Sequence, residues 1–301
     1  MLICDMHCDS LLTVSGSRGL VSEYNFSKGP HLQFVAEFCP NEGVAPELRR
    51  RKLISSLNTY LYECDRLGLT RIGSGRDVFR AEEGDCRSTI LTLEGGGGLF
   101  ADSEELLTLK NAGLSVLGMA WDKNELSSSA FDDIDEGLTH EGERLVDRCA
   151  ELGIILDVSH LSDRAFYETL EISSLPVLAT HSNFRDVCRH PRNLTRDMAE
   201  KIAARGGVIG INLCPAFLND SSDASADDIL RHVDYALSVL GEDSLGFGFD
   251  IDGIRTYPQG ISLESSIHEQ VVDLLLSHYS SATVEKIAGA NVMNFLKENL
   301  I

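Results

Sequence analysis

Five short apolar runs in this chain end on side chains that can ligate a metal ion. Met1-Leu2-Ile3-Cys4 leads into His7 and Asp9, and Thr89-Ile90-Leu91-Thr92-Leu93 leads into Glu94. Ile154-Ile155-Leu156-Asp157-Val158-Ser159 precedes His160, Val177-Leu178-Ala179-Thr180 precedes His181, and Leu245-Gly246-Phe247-Gly248-Phe249 precedes Asp250. Residues two apart on a strand point to the same side, so His7 and Asp9 present an imidazole and a carboxylate together. Ligand-type residues at the C-terminal tips of successive strands are the layout of a metalloenzyme on a parallel α/β barrel.

The remaining pattern agrees with such a barrel. Strands are expected over residues 2–7, 31–38, 88–93, 114–119, 154–158, 176–180, 207–212 and 244–249. Several are nearly continuous apolar stretches, as strands buried on both faces require; 31–38 is more mixed. Helical patterns separate them. Residues 46–67 carry Leu48, Leu53, Leu57 and Leu61 near a 3.6 period, and 139–152 carry Leu145, Val146, Cys149 and Leu152. Thr139 reads as the cap of the second, with Gly142 excluding a capping box; Ser162, Thr195 and Ser225 read as caps of 163–172, 196–205 and 226–240. The tail, 282–299, reads as one or two helices. Alternation of eight strands with helices predicts an α/β fold of the (β/α)8 TIM-barrel class, metal-dependent hydrolase type. A doubly wound open sheet would not gather five or six strand tips around one point. No linker divides the chain, so one domain over residues 1–301 is expected.

Composition narrows the partners. The apolar fraction of 43% supports a substantial core. A net charge of −21 repels phosphate backbones and argues against nucleic acid as a partner. The acidic residues are spread along the chain and read as a solvated surface. No apolar stretch approaches a membrane span and no leader pattern opens the chain, so neither a membrane anchor nor secretion is expected. Eight cysteines without a C-x-x-C pair fit a reducing, cytoplasmic setting. Cys8 should point away from His7 and Asp9 as a wall residue, and Cys4, Cys188 and Cys214 read as small buried hydrophobes. The Gly95–Gly98 run lacks the context of a phosphate loop and lets the backbone pass close to a crowded centre. His31, His140, His232, His268 and His278 lie away from the strand tips and read as structural or surface residues.

The ligand set is therefore His7, Asp9, Glu94, His160 and His181. Imidazole and carboxylate without thiolate suit zinc. Five ligands exceed the needs of one tetrahedral catalytic ion, so two Zn2+ with a bridging carboxylate are expected. Glu94 is long and comes from a strand between the two groups. It would join His7 and Asp9 at one ion and His160 and His181 at the other, alongside a bridging hydroxide. A hydroxide so held is a nucleophile at neutral pH, and Asp250 is placed to take and return its proton.

These motifs resemble the renal (membrane) dipeptidase family of zinc metallopeptidases on the amidohydrolase-type barrel. Asp5-Met6-His7-Cys8-Asp9-Ser10 resembles the family's opening metal motif, and Leu93-Glu94-Gly95-Gly96 its bridging glutamate. Leu156-Asp157-Val158-Ser159-His160 and Ala179-Thr180-His181-Ser182-Asn183 resemble its two histidine strands. Arg189-His190-Pro191-Arg192-Asn193-Leu194 is similar to its Arg-Asn loop, and Gly246-Phe247-Gly248-Phe249-Asp250-Ile251-Asp252-Gly253 to its late Asp-x-Asp-Gly segment. The resemblance implies two zinc ions, hydrolysis of small dipeptides, Asp250 as acid/base, and Arg192 on the substrate's C-terminal carboxylate, for which a guanidinium fork is suited. Related enzymes form homodimers. Many animal members carry a substrate-facing histidine where this chain has Trp121, which can pack on a substrate but cannot act as an imidazole; neighbouring Asp122 or Asn124 could bind the substrate's ammonium. Two other readings compete: an amidohydrolase-type enzyme acting on an N-acyl amino acid or lactam, and a catalytically silent metal-binding barrel.

Overall fold

In the computed structural model, residues 1–13, 26–27, 29–38, 44–84, 87–221 and 223–300 are described. The strands are β1 (Ile3–Cys8), β2 (His31–Phe38), β3 (Thr70–Arg71), β4 (Arg87–Glu94), β5 (Leu114–Gly118), β6 (Ile155–Asp157), β7 (Val177–Leu178), β8 (Ile209–Ile211) and β9 (Leu245–Phe247). The sheet runs β7-β6-β5-β4-β2-β1-β9-β8, every pair parallel. Its ends meet where Ala179 pairs with Ile209; Ala179 N donates to Val208 O at 3.1 Å and Gly210 N to Ala179 O at 2.8 Å. The fold is an α/β barrel of eight parallel strands, and the eight expected strands are the eight of the barrel. The two-residue β3 pairs only with β4, outside the ring.

The helices are α1 (Ser10–Thr13), α2 (Pro46–Leu67), α3 (Gly75–Glu83), α4 (Glu104–Asn111), α5 (His140–Leu152), α6 (Asp163–Ile172), α7 (Arg196–Ala204), α8 (Pro215–Leu218), α9 (Ala226–Leu240), α10 (Ile267–Leu276), α11 (Ser281–Glu285) and α12 (Asn291–Asn299). A π-helical turn, Lys286–Ala290, joins the last two. The hydroxyls of Thr139, Ser162 and Thr195 accept from Gly142, Ala165 and Met198 N, satisfying donors that a helix start leaves free. At α9, the Asp228 carboxylate accepts from Ser225 N at 2.9 Å. The α2 and α5 helices end at Gly68 and Gly153, both left-handed. Helices α3, α4 and α10 carry no signal singled out in the sequence.

Strand alternation divides the core into two shells. Cys4, Met6, Leu32, Phe34, Ile90, Val116, Ile155, Leu178 and Val208 fill the barrel, and Val292, Met293, Phe295 and Leu296 of α12 plug its floor. Val35, Leu91, Leu93, Leu117, Ile209 and Phe247 face outward into the helical layer.

One irregularity decides where the first candidate ligand points. Between Asp5 and Cys8, β1 spends three residues where β2 spends two, Gln33 to Val35. Strict alternation would put His7 on the side of Ile3 and Asp5, toward the helices. The bulge turns it inward: Met6 packs inside the barrel, Cys8 joins the outer shell as expected, and the His7 ring lies 3.7 Å from that of His181.

Close approach is the second constraint. A Cβ at Gly248 or Gly210 would overlap the Thr180 carbonyl oxygen, so only glycine lets β8 and β9 close against the β7 tip. Gly248→Ala is expected to lower stability by about 1–3 kcal/mol or more, the cost of overpacking, read as a lower urea midpoint at unchanged m-value.

Candidate metal centre

The tips of β1, β4, β6, β7 and β9 bring His7, Asp9, Glu94, His160, His181 and Asp250 together at one mouth of the barrel. Three imidazoles converge on a single carboxylate oxygen: Glu94 Oε1 lies 3.6 Å from His7 Nε2, 2.8 Å from His160 Nε2 and 3.4 Å from His181 Nε2. His160 Nε2 and His181 Nε2 are 2.9 Å apart. His7 Nε2 is also 3.4 Å from Asp9 Oδ2 and 3.9 Å from Asp250 Oδ1. Two triads, His7/Glu94/His181 and His7/Asp9/Asp250, each hold their ligand atoms close enough to share one ion, and both use His7.

Burial makes this cluster electrostatically demanding. Desolvation pushes the Glu94 carboxyl well above its usual range, with Asp9 adding to the rise, and it pushes Asp250 up as well. Burial alone would lower His7, but Glu94, Asp9 and Asp250 outweigh it and lift the imidazole to about 10. His160 and His181 are held well below the ordinary value, first by burial, with Arg192 and His7 adding to it. Among the described residues, His7 Nε2 and Asp9 Oδ1 are buried without a hydrogen-bond partner, and buried polar atoms of this kind need one. A cation is a partner that an imidazole lone pair and a carboxylate oxygen can both take, so the donor set fits a metal.

Neighbouring residues fix the ligands. Asp5 accepts from His7 N at 3.2 Å and Phe249 N at 3.0 Å, and its other oxygen is 2.7 Å from His268 Nε2. Asn212 Nδ2 donates to Asp250 Oδ2 at 3.0 Å and reaches His181 O at 3.4 Å. Asp250 and Asp252 take φ of 61° and 68°, the left-handed region that non-glycine residues rarely adopt. A Cβ on the following Gly253 would overlap the carboxylates of both Asp9 and Asp250. Asp5, Asn212 and Gly253 were not assigned roles from sequence. The Asp-Ile-Asp-Gly tetrapeptide is a usable signal for the last, since a glycine after two aspartates marks a turn.

The centre opens into a cavity of about 390 Å3. Asp9, Glu94, His160 and Asp250 form its polar floor; Phe38, Trp121, Phe131 and Phe217 form aromatic walls, and Cys214 and the Asp252–Thr256 turn complete the lining. Trp121 meets Phe38 edge-on at 5.0 Å and lies 6.2 Å from the His160 ring. Cys4 and Cys188 are buried as expected, whereas Cys214 faces the cavity. Cys39 and Cys86 lie outside the described residues. Asn124 spends its side chain on its own loop, donating to Met119 O at 2.9 Å and accepting from Leu126 N at 2.7 Å, and does not line the cavity.

Arg192 is buried behind His160 rather than in the cavity lining. Its Nη1 donates to Ser159 O, Nη2 lies 3.3 Å from His181 O and 3.1 Å from His160 Nε2, and the guanidinium sits 5.5 Å from the Phe217 ring centre. Its Nε has no partner. Of the other histidines, His31, His232 and His268 are buried in polar contacts, while His140 and His278 are exposed. Among the described residues, no helix is long and apolar enough to cross a membrane.

Comparison with known proteins places this geometry. The sequence profile of the membrane dipeptidase family (peptidase family M19) matches residues 44–300, which include every site residue above except Phe38 and those of β1 and its tip. Dipeptidase tcpJ of Claviceps purpurea is 31% identical over 225 residues, 73% of this chain and 52% of that protein; this chain thus spans about half its length. A crystal structure of dipeptidase AC, a metallopeptidase of family M19, superposes with a TM-score of 0.89 at 26% identity, covering 100% of this chain and 99% of that one. A metallopeptidase from Rhodobacter sphaeroides, liganded with a phosphinate mimic of the dipeptide L-Ala-D-Ala, shares the fold with a TM-score of 0.86 at 24% identity over 99% of both chains. The buried cluster and the match over most of the chain lead to one conclusion: this chain belongs to the membrane dipeptidase family of metallopeptidases.

Proposed function

We propose that the chain is a binuclear zinc dipeptidase. The observation that carries this is the convergence of three imidazole Nε2 atoms on Glu94 Oε1, beside a buried His7 Nε2 and Asp9 Oδ1 that have no hydrogen-bond partner among the described residues. His7, Asp9 and Glu94 would hold one ion, and Glu94, His160 and His181 the other. Divalent ions there supply Lewis acidity, which yields a nucleophile from water near neutral pH and polarises the carbonyl under attack.

The chain's own residues do the rest. Asp250 lines the cavity with one oxygen bonded to Asn212 and the other turned toward His7. It is the group that takes the proton of the attacking water and delivers it to the leaving amine. Phe38, Trp121 and Phe131 exclude water and pack on the substrate's side chains. Arg192, buried behind His160 in this structure, would turn into the cavity to serve the substrate's C-terminal carboxylate. A small dipeptide fits a cavity of this size. A reducing, cytoplasmic setting belongs to the same proposal, supported by six described cysteines that are all unpaired.

Chelation is expected to abolish activity, and zinc to restore it. At a hundredfold excess over Kd, zinc should add about 2.7 kcal/mol of stability, read as a higher Tm. Hydrolysis of N-acyl amino acids or lactams with no turnover of dipeptides would reassign the activity within the same reaction class.

Asp250→Asn should lower kcat by about 100- to 10,000-fold while the zinc content stays as in the wild type. Unchanged turnover would remove Asp250 from the mechanism. Arg192→Ala should depress kcat/KM for dipeptides and leave dipeptide amides, which lack the carboxylate, nearly untouched. An equal loss on both would show that Arg192 supports the site instead.

A further inference from the structure

We infer that Asp157 and Thr180 dictate which ring nitrogen of His181 carries its proton, and so act as positioning residues for the metal centre; the second part rests on the reading of that centre given above.

The chain of bonds leaves one arrangement. The Asp157 carboxylate is surrounded by four donors: Ser159 N at 3.0 Å, Ser159 Oγ at 2.6 Å, Thr180 N at 3.0 Å and Thr180 Oγ1 at 2.5 Å. A hydroxyl has one hydrogen to give, and that of Thr180 is spent on Asp157. Thr180 Oγ1 also lies 2.8 Å from His181 Nδ1. With its hydrogen committed, this oxygen can only accept, so His181 Nδ1 carries the proton and Nε2 is left with a bare lone pair. The opposite tautomer would set two lone pairs against each other at that distance. The bare Nε2 is the atom that faces Glu94 Oε1 at 3.4 Å and His160 Nε2 at 2.9 Å, so that in the metal-free protein it accepts from the His160 ring. Ser159 works in parallel: its hydrogen also goes to Asp157, and its oxygen accepts from His181 N at 3.1 Å. Asp157, Ser159, Thr180 and His181 are all buried, so water does not compete for these bonds. The pair therefore locks the ring's proton, its rotation and its backbone through one carboxylate. Hydrogen-bonded partners of this kind typically change metal affinity by about 10- to 100-fold.

Thr180→Val keeps the shape and removes the hydroxyl. Its zinc affinity, measured by chelator competition, should fall about 10- to 100-fold, and Thr180→Ser should restore it. Unchanged affinity in the valine variant, or failure of serine to restore it, overturns the positioning role. Nitrogen-15 NMR of metal-free wild type reads the tautomer without relying on any variant's folding, the ring being assigned by its loss in His181→Gln. A proton on Nδ1 is expected; a proton on Nε2 overturns the inference. Wild-type protein that binds no divalent ion yet shows the Nδ1–H form would sink the metal reading, and with it the positioning role, but not the tautomer.

Discussion

Carboxylates buried together lose their hydration and repel one another, and this fold does so with Asp9, Glu94 and Asp250 at a single barrel mouth. In a low-dielectric setting such a cluster is stable when its carboxyls take up protons, the direction in which Glu94 and Asp250 are pushed, or when positive charge is brought close. His7 answers part of the demand, as its upward shift records, and Arg192 stands behind the cluster. The other imidazoles cannot help, because burial keeps them neutral. The donor set is suited to a bound cation as a further source of positive charge.

Recruiting an ion needs ligands that do not relax toward one another. The barrel arranges this with buried side chains that each join two strand ends. Asp5 links the β1 bulge to the end of β9, Asp157 links β6 to β7, and Asn212 links the β8 end to both His181 and Asp250. Glycines permit the approach that these bonds require, at Gly210 and Gly248 against Thr180 and at Gly253 against the two aspartates. Polar bonds and steric permission act together: without the glycines the tips could not meet, and without the carboxylates and amide they would not hold orientation.

Much of this was legible in the sequence because it depends on local pattern. Short β-type runs, several of them continuously apolar, marked the eight barrel strands, and capping residues marked the starts of α5, α6, α7 and α9. The ligand-type residues stood at the ends of those runs, so their assembly followed from the barrel alone. What escaped notice depends on relations between strands. The inward turn of His7 comes from a bulge defined only by its pairing with β2. The Asp157–Thr180–His181 chain crosses from one strand to the next. The enclosure of Arg192, and the commitment of Asn124 to its own loop, arise from carbonyls that no residue letter announces.

The pairing of the first strand with the ninth also carries a consequence for biosynthesis. Asp5 and Phe249, bonded to each other, lie 244 residues apart in the chain. Closing so long a loop costs about 5 kcal/mol of chain entropy, and no part of the return is available until the later segment has been made. The α12 plug comes later still. During translation the early imidazole and carboxylate must therefore wait beside an unsealed cylinder. An ion held at this mouth would be loaded late in maturation, and a polypeptide released before its last strand lacks Asp250 and the seal of its barrel.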